Sequence, residues 1–214
     1  MKLLAATTVP AFLLAAAALF AWPRQAATEH PPSPPGTNEP APSVDANEEA
    51  QPERIPLRLP LVNPKIVISK SARRLELHSG GRLVREYRVV LGGDPVNDKE
   101  REGDSRTPEG DFYVCVRNEK SQFYRSLGLS YPNREDAERG LRNRLITRAE
   151  YERIVSAINR KRTPPWDTAL GGEIYIHGGG TRSDWTAGCV ALDDADMREL
   201  FDSVPVGTPV SIKP

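Results

Sequence analysis

The chain has 214 residues, with 29 basic and 29 acidic side chains, 20 prolines and two cysteines. That length holds one catalytic domain of ordinary size plus accessory segments. Zero net charge excludes bulk electrostatic capture of nucleic acid or anionic lipid, two cysteines are too few for a disulfide framework, and no fixed period marks a repeat architecture.

Residues 1–22 carry one charge, Lys2, ahead of an apolar run that extends from Leu3 to Pro23. This pattern reads as an export segment, either a cleaved signal peptide or a retained membrane anchor. It is the only part of the chain expected to meet a membrane. Residues 23–64 hold eleven of the 20 prolines and a formal charge of −3. Such a stretch buries too little apolar surface to offset its ordering entropy, so it reads as a disordered, partly extended tether. A tether of this kind suits an enzyme whose substrate is immobile; an inert spacer is the plainer alternative.

The folded domain is expected over residues 65–214. Ile66-Val67-Ile68 is a short strand. Leu75 and Leu77 alternate with polar residues, and Ser79-Gly80-Gly81 turns the chain into Leu83, Tyr87, Val89 and Leu91. Phe112, Val114 and Val116 keep the two-residue period, as do Ile174 and Ile176, while Val210 and Ile212 form the last strand. Three helices are predicted. One follows Asn133 and ends near Gly140. Another starts at Thr147, with Glu150 completing a capping box and Tyr151, Ile154, Val155 and Ile158 on one face. The third follows Asp193 and packs Met197, Leu200 and Phe201. The fold class is therefore mainly β, a sandwich-like domain with a helical insertion.

Chemistry concentrates between residues 174 and 192. Ile174 to His177 is a strand running into Gly178-Gly179-Gly180, a polar loop follows, and Trp185-Thr186-Ala187-Gly188-Cys189 opens a second strand. Alternation turns Ile174 and Ile176 to the core and Tyr175 and His177 to the opposite side. The loop is long enough to bring Cys189 back to face His177. Gly188 leaves room for a substrate carbonyl, with nearby amides available to an oxyanion. A thiol near its reference pKa is only a few per cent ionised at neutral pH, so an adjacent imidazole is its usual activator. Of three histidines, His30 lies in the tether and His78 beside a hairpin turn, which leaves His177. Cys115 sits among strand apolar residues and reads as inert.

Plainer readings stand beside this one. Free cysteine is often simply buried, His177 can be a satisfied core histidine, and an oxidising compartment allows a Cys115–Cys189 disulfide. One His and one Cys fall short of a metal site. His-Gly-Gly-Gly is found in lipase oxyanion loops, but the Gly-x-Ser-x-Gly that such enzymes need is absent.

These residues resemble the catalytic motif of the L,D-transpeptidase (YkuD-like) family of bacterial cell-wall enzymes: a His-Gly strand end, a loop, then Ser/Thr-His-Gly-Cys. Further resemblances occur in order. Arg74 to Gly92 is similar to the opening hairpin, Thr107-Pro108-Glu109-Gly110-Asp111-Phe112 to a Thr-Pro-x-Gly-x-Phe strand, and Gly207-Thr208-Pro209-Val210 to the closing strand. Leu129 to Asn133 and Pro164 to Thr168 resemble the branch with a helical insertion. The resemblance implies a cysteine acyl transfer on peptidoglycan stem peptides in the periplasm, with Cys189 as nucleophile, His177 as base and the Gly178 carbonyl orienting the imidazole. It implies no metal or organic cofactor. The acceptor is a second stem peptide or a wall-anchored lipoprotein, or water if the enzyme is a hydrolase; a non-catalytic wall-binding module is the other alternative, and it would predict a lost Cys or His, whereas both are present. Two departures stand out: the family's His before Gly-Cys is Ala187, and its Arg two residues after the Cys is Ala191. Arg182 is the candidate replacement for the missing charge, with Thr186 and Trp185 as further substrate contacts.

Overall fold

The computed structural model of the chain describes residues 55–214; the predicted export segment and the tether as far as residue 54 lie outside them. Strand β1 (Lys65–Ser69) pairs antiparallel with β2 (Arg74–Ser79), and β2 with β3 (Arg82–Arg88). The two-residue alternation buries Ile66, Ile68, Leu75, Leu77 and Tyr87. Burying each such aliphatic side chain stabilises the fold by about 1.5–3 kcal/mol. Leu83 does not join them. The β2–β3 register shifts between Leu77 and His78, and Leu83 is left exposed.

β4 (Gly110–Ser121) joins two half-sheets. Its first residues, Gly110 to Tyr113, pair with β8 (Pro209–Lys213), and from Val114 onward it pairs with β5 (Tyr124–Leu129). β5 then pairs antiparallel with β6 (Tyr175–His177), which runs parallel to β7 (Val190–Ala191). The order across the sheet is β3-β2-β1-β8-β4-β5-β6-β7. Its two ends meet where Val90, just beyond β3, exchanges backbone hydrogen bonds of 3.0 and 2.9 Å with Ala191. The bent sheet thus closes round one core. Met197, Leu200 and Phe201 of α3 (Asp194–Ser203) are part of that core, as the sequence predicts.

Between β5 and β6 lie α1 (Arg134–Arg142) and α2 (Arg148–Asn159), each opened by a capping box: Asn133 with Asp136, and Thr147 with Glu150. They enclose a separate small core of Ala137, Ile146, Ile154 and Leu170. Tyr151 and Ile158 pack against it. Arg139 of α1 ties the insertion to the loop after β3, bonding Asp98 at 2.9 Å and the Lys99 carbonyl at 2.7 Å.

Two boundaries differ from the sequence reading. Strand β5 is absent from the predicted elements, although Ser126 and Gly128 alternate with leucines as in a half-buried strand. Both are buried with Leu127 and Leu129, and a side chain at Gly128 would meet Tyr175 and Val116 at 3.0 Å. The last residues of the expected tether also pack onto the domain. Leu57 and Leu61 lie against the core, and the Val62 amide bonds the Ser79 hydroxyl at 2.9 Å.

Candidate active site

The parallel pairing of β6 and β7 sets His177 opposite Ala191, so Cys189, just ahead of β7, comes level with Tyr175. Ile174 and Ile176 are buried in the core, while Tyr175, His177 and Cys189 line one groove of about 450 Å³ with Phe123, Ser126 and Glu173. The connecting loop is tied down by Asp184, whose carboxylate accepts the Leu91 amide at 2.8 Å and Arg73 at 2.7 and 3.1 Å. Partial burial works against that carboxylate, but Arg73 and the amide outweigh it and hold its pKa below the usual range. Past Trp185 the backbone turns tightly. Gly188 has φ +134°, and a Cβ there would lie 2.7 Å from the Arg106 carbonyl. Few residues other than glycine fit such a position.

The imidazole of His177 is 3% exposed. Its Nδ1 lies 2.5 Å from the Gly178 carbonyl. A carbonyl only accepts, so Nδ1 carries the proton and Nε2 is the free base. Burial lowers the His177 pKa, partly opposed by that hydrogen bond. Burial pushes the Cys189 thiol up, against the pull of the Tyr175 amide and the Lys99 charge. The resting pair is therefore neutral thiol and neutral imidazole. Sγ accepts from the Tyr175 amide at 3.4 Å and donates to the Glu173 carbonyl at 3.6 Å. These are its hydrogen-bond partners among the described residues, and the imidazole is not one of them. Glu173 is itself in the left-handed region at φ +53°, an uncommon conformation for its residue type. Both cysteines are free, so the Cys115–Cys189 disulfide is not formed. Cys115 donates weakly to the Gly128 carbonyl at 3.4 Å.

The model of the L,D-transpeptidase catalytic domain (YkuD) matches residues 63–212. The chain belongs to that family. YafK of Escherichia coli K12 is 28% identical over 88 residues, covering 38% of this chain and 35% of its own. The chain thus matches about a third of that relative's length. Among solved structures, the helical cell shape determining protein Pgp2 (K307A mutant) of Campylobacter jejuni is 22% identical. That alignment covers 71% of this chain and 47% of Pgp2, with a TM-score of 0.48. The L,D-transpeptidase of Xylanimonas cellulosilytica is 18% identical, covering 74% of this chain and 64% of its own, at 0.42. The assignment rests on the family match rather than on these two likenesses.

Within this L,D-transpeptidase domain, the remaining predicted residues occupy different places. Thr186 is buried and faces inward. Its hydroxyl donates to the Cys189 carbonyl at 2.7 Å and accepts the Gly188 amide at 3.1 Å. It shapes the turn instead of offering itself to substrate, and it engages the Gly188 amide that the sequence reading assigned to an oxyanion. Trp185 is 40% exposed, with its edge against the His177 ring at 5.5 Å. Arg182 opens onto a separate cleft of about 1060 Å³ with Arg88, Trp185 and Asp193, and Cys189 is not among that cleft's lining residues. It is not placed to anchor a substrate over the thiol. Ala187 lines a groove of about 560 Å³ on the other side of Cys189, and Ala191 is buried in its pairing with Val90.

That second groove holds what sequence reasoning missed. Lys99 is 3% exposed and lines it, with Nζ on Asp104 at 2.8 Å and on the Arg101 carbonyl at 3.0 Å. Nothing in its spacing marks it, since five of the six residues from Lys99 to Asp104 are charged. Trp166 lines the same groove, bonding the Tyr131 carbonyl at 3.1 Å and packing edge-on to Tyr175. Thr107, in the Thr-Pro-x-Gly-x-Phe segment, is fully buried. It accepts the Gly92 amide at 3.0 Å and reaches the Cys189 carbonyl at 3.5 Å.

Proposed function

We propose that the domain is a peptidoglycan L,D-transpeptidase in which Cys189 is the nucleophile and His177 the general base. The observation that carries this reading is the groove that Cys189 and His177 both line, with the imidazole Nδ1 held on the Gly178 carbonyl so that Nε2 is the unprotonated nitrogen. In the proposed reaction, the thiol turns from the Glu173 carbonyl and gives its proton to His177. Sulfur then attacks the amide between the L-centre of diaminopimelate and a terminal D-residue of a wall tetrapeptide. The C–N bond breaks, His177 returns the proton to the leaving amine, and an acyl-thioester remains. An acceptor amine reverses these steps: it loses its proton to His177, takes the acyl group and frees the thiolate. No metal or organic cofactor is required by this sequence of steps.

One imidazole serves both the departing and the arriving amine, so both pass on its side, through the groove with Ser126 and Phe123. The acyl part of the stem then lies in the groove of Lys99, Trp166 and Ala187. The acceptor is a second stem peptide or a wall-anchored lipoprotein; water in its place would make the enzyme a carboxypeptidase or a lipoprotein-releasing amidase. The test is the full chain incubated with tetrapeptide muropeptides, with released D-residue, cross-linked dimer and free tripeptide measured by mass. Cys189→Ala and His177→Ala are expected to abolish every product, and Cys115→Ala to retain them. Turnover by Cys189→Ala would sink the assignment. Tripeptide without dimer would change the outcome from transfer to hydrolysis.

The apolar run from Leu3 supports a cell-envelope location for this reaction. Alkaline phosphatase fused after residue 64 is expected to be active, and to be silent when residues 1–22 are removed. Activity without that segment would contradict export.

A further inference from the structure

We propose that Phe123 is a positioning residue for His177, holding the imidazole plane that a carboxylate holds in many catalytic triads; this rests on the reading of His177 as the base. The structural observation is a three-ring cluster. Phe123 stacks on His177 with centroids 4.8 Å apart and planes 27° apart. Trp185 meets the same imidazole edge-on at 5.5 Å and 66°, and meets Phe123 at 5.3 Å and 60°. Trp185 is fixed in turn by its indole N–H on the Gly180 carbonyl at 3.2 Å.

The need for such a clamp follows from the rest of the site. Among the described residues, the Nδ1 partner is the carbonyl of the next residue in the chain. That contact selects the tautomer, yet a single hydrogen bond leaves the ring free to swing about the N–H···O direction. An aromatic face supplies the missing restraint, because stacking restricts the ring plane. In the resting state the same face keeps water from the ring.

The sequence delivers Phe123 economically. β4 and β5 form a hairpin in which Ser121 pairs with Tyr124, leaving Gln122 and Phe123 at its tip. The Phe123 amide bonds the Ser121 hydroxyl at 3.2 Å. Phe123 is 37% exposed, more than a core residue would be. It lines both the catalytic groove and the cleft behind Trp185, so this one ring forms part of the wall between them.

Other titratable groups round the ring are few. Tyr175, Glu173 and Cys189 share its groove, Asp194 accepts the Gly179 amide, and Arg88, Arg182 and Asp193 lie in the cleft behind Trp185. None of these needs to change in a Phe123 variant.

The test is an NMR titration of the His177 imidazole in the full chain, alongside kcat/KM profiles against pH with tetrapeptide muropeptides. Phe123→Ala is expected to raise the His177 midpoint by opening the ring to water, and to move the acid limb of kcat/KM upward with it. It should also lower kcat at neutral pH by about two- to tenfold, the range of an aromatic pair, with KM little changed. Phe123→Tyr should restore wild-type behaviour. Phe123→Leu keeps the apolar tip and carries the same test if the alanine variant misfolds, with a smaller shift in the same direction. An unmoved His177 midpoint in both variants overturns the proposal. So does a rise in KM alone, which would make Phe123 a substrate contact. The titration is read without turnover, so failure here is distinct from failure of His177 as base, which His177→Ala decides.

Discussion

At the scale of single residues, the site is poised by burial rather than by a preformed ion pair. Burial pushes the thiol up and the imidazole down, which favours the uncharged form of each. The sign for activity follows. Protonated His177 cannot accept the thiol proton, and its folded pKa lies below the ordinary value of ~6.5. The acid limb of kcat/KM is therefore expected below that value, with activity intact through the neutral range and lost only as pH falls past the depressed pKa. A rate profile fitted between pH 4 and 8 checks this. A limb above ~7 would mean that the imidazole is more hydrated than its 3% exposure implies. That Cys189 and His177 share one groove was readable from alternation and from the His-Gly and Gly-Cys steps, and the Gly178 carbonyl contact came with the family resemblance. The roles of Lys99, Phe123 and Thr107 were not readable, because each depends on what folds against it. Lys99 sits in a charged run that looks solvated, and Phe123 at a hairpin tip, where position in the sequence does not show which ring it will meet. Arg182 was misplaced for a related reason: position between two site residues in sequence says nothing about which side of the loop faces the thiol.

At the scale of elements, the loop from Gly178 to Gly188 is held at discrete points rather than by packing along its length. Asp184 is the main one, joining the loop to Arg73 before β2 and to Leu91 beyond β3. Asp184→Ala leaves the Leu91 amide and the Arg73 guanidinium without this partner. The expected cost is about 1–3 kcal/mol, seen as a lower denaturation midpoint, with an additional loss of kcat as Cys189 loses its register with His177. A variant as stable and active as wild type would show that the Thr186 and Thr107 contacts suffice. The helices were legible from their caps, since Asn133 and Thr147 start α1 and α2 where the sequence marks them. Asp193 also precedes its helix, but its side chain bonds Thr181 at 3.1 Å instead of capping α3. A capping residue read from sequence can thus be diverted to anchor a loop.

At the scale of the whole domain, β8 is the join. It lies between β1, with which it runs parallel, and β4, with which it runs antiparallel. Without it the opening hairpin and the half-sheet that carries His177 lose the strand they share and keep the bridge at Val90, the bonds of Leu91 and Gly93 to Thr186, and the Asp184 ties. Removing residues 209–214 is expected to abolish cooperative unfolding and the near-ultraviolet signal of the buried tyrosines. A truncated chain that melts with a single sharp transition would contradict this role. Sandwich-like architecture followed from strand content, but the position of β8 did not, because alternation identifies a strand without saying which strands it will separate.

The same placement puts the domain on a timetable. Ile66 pairs with Val210, so the earliest strand of the domain waits through the synthesis of nearly all the rest before its neighbour exists. Contacts so distant along the chain form slowly, because the loop entropy is lost before the pairing is gained. A ribosome making this protein therefore releases the first hairpin well before β8, and that hairpin lacks its neighbouring strand until β8 follows it.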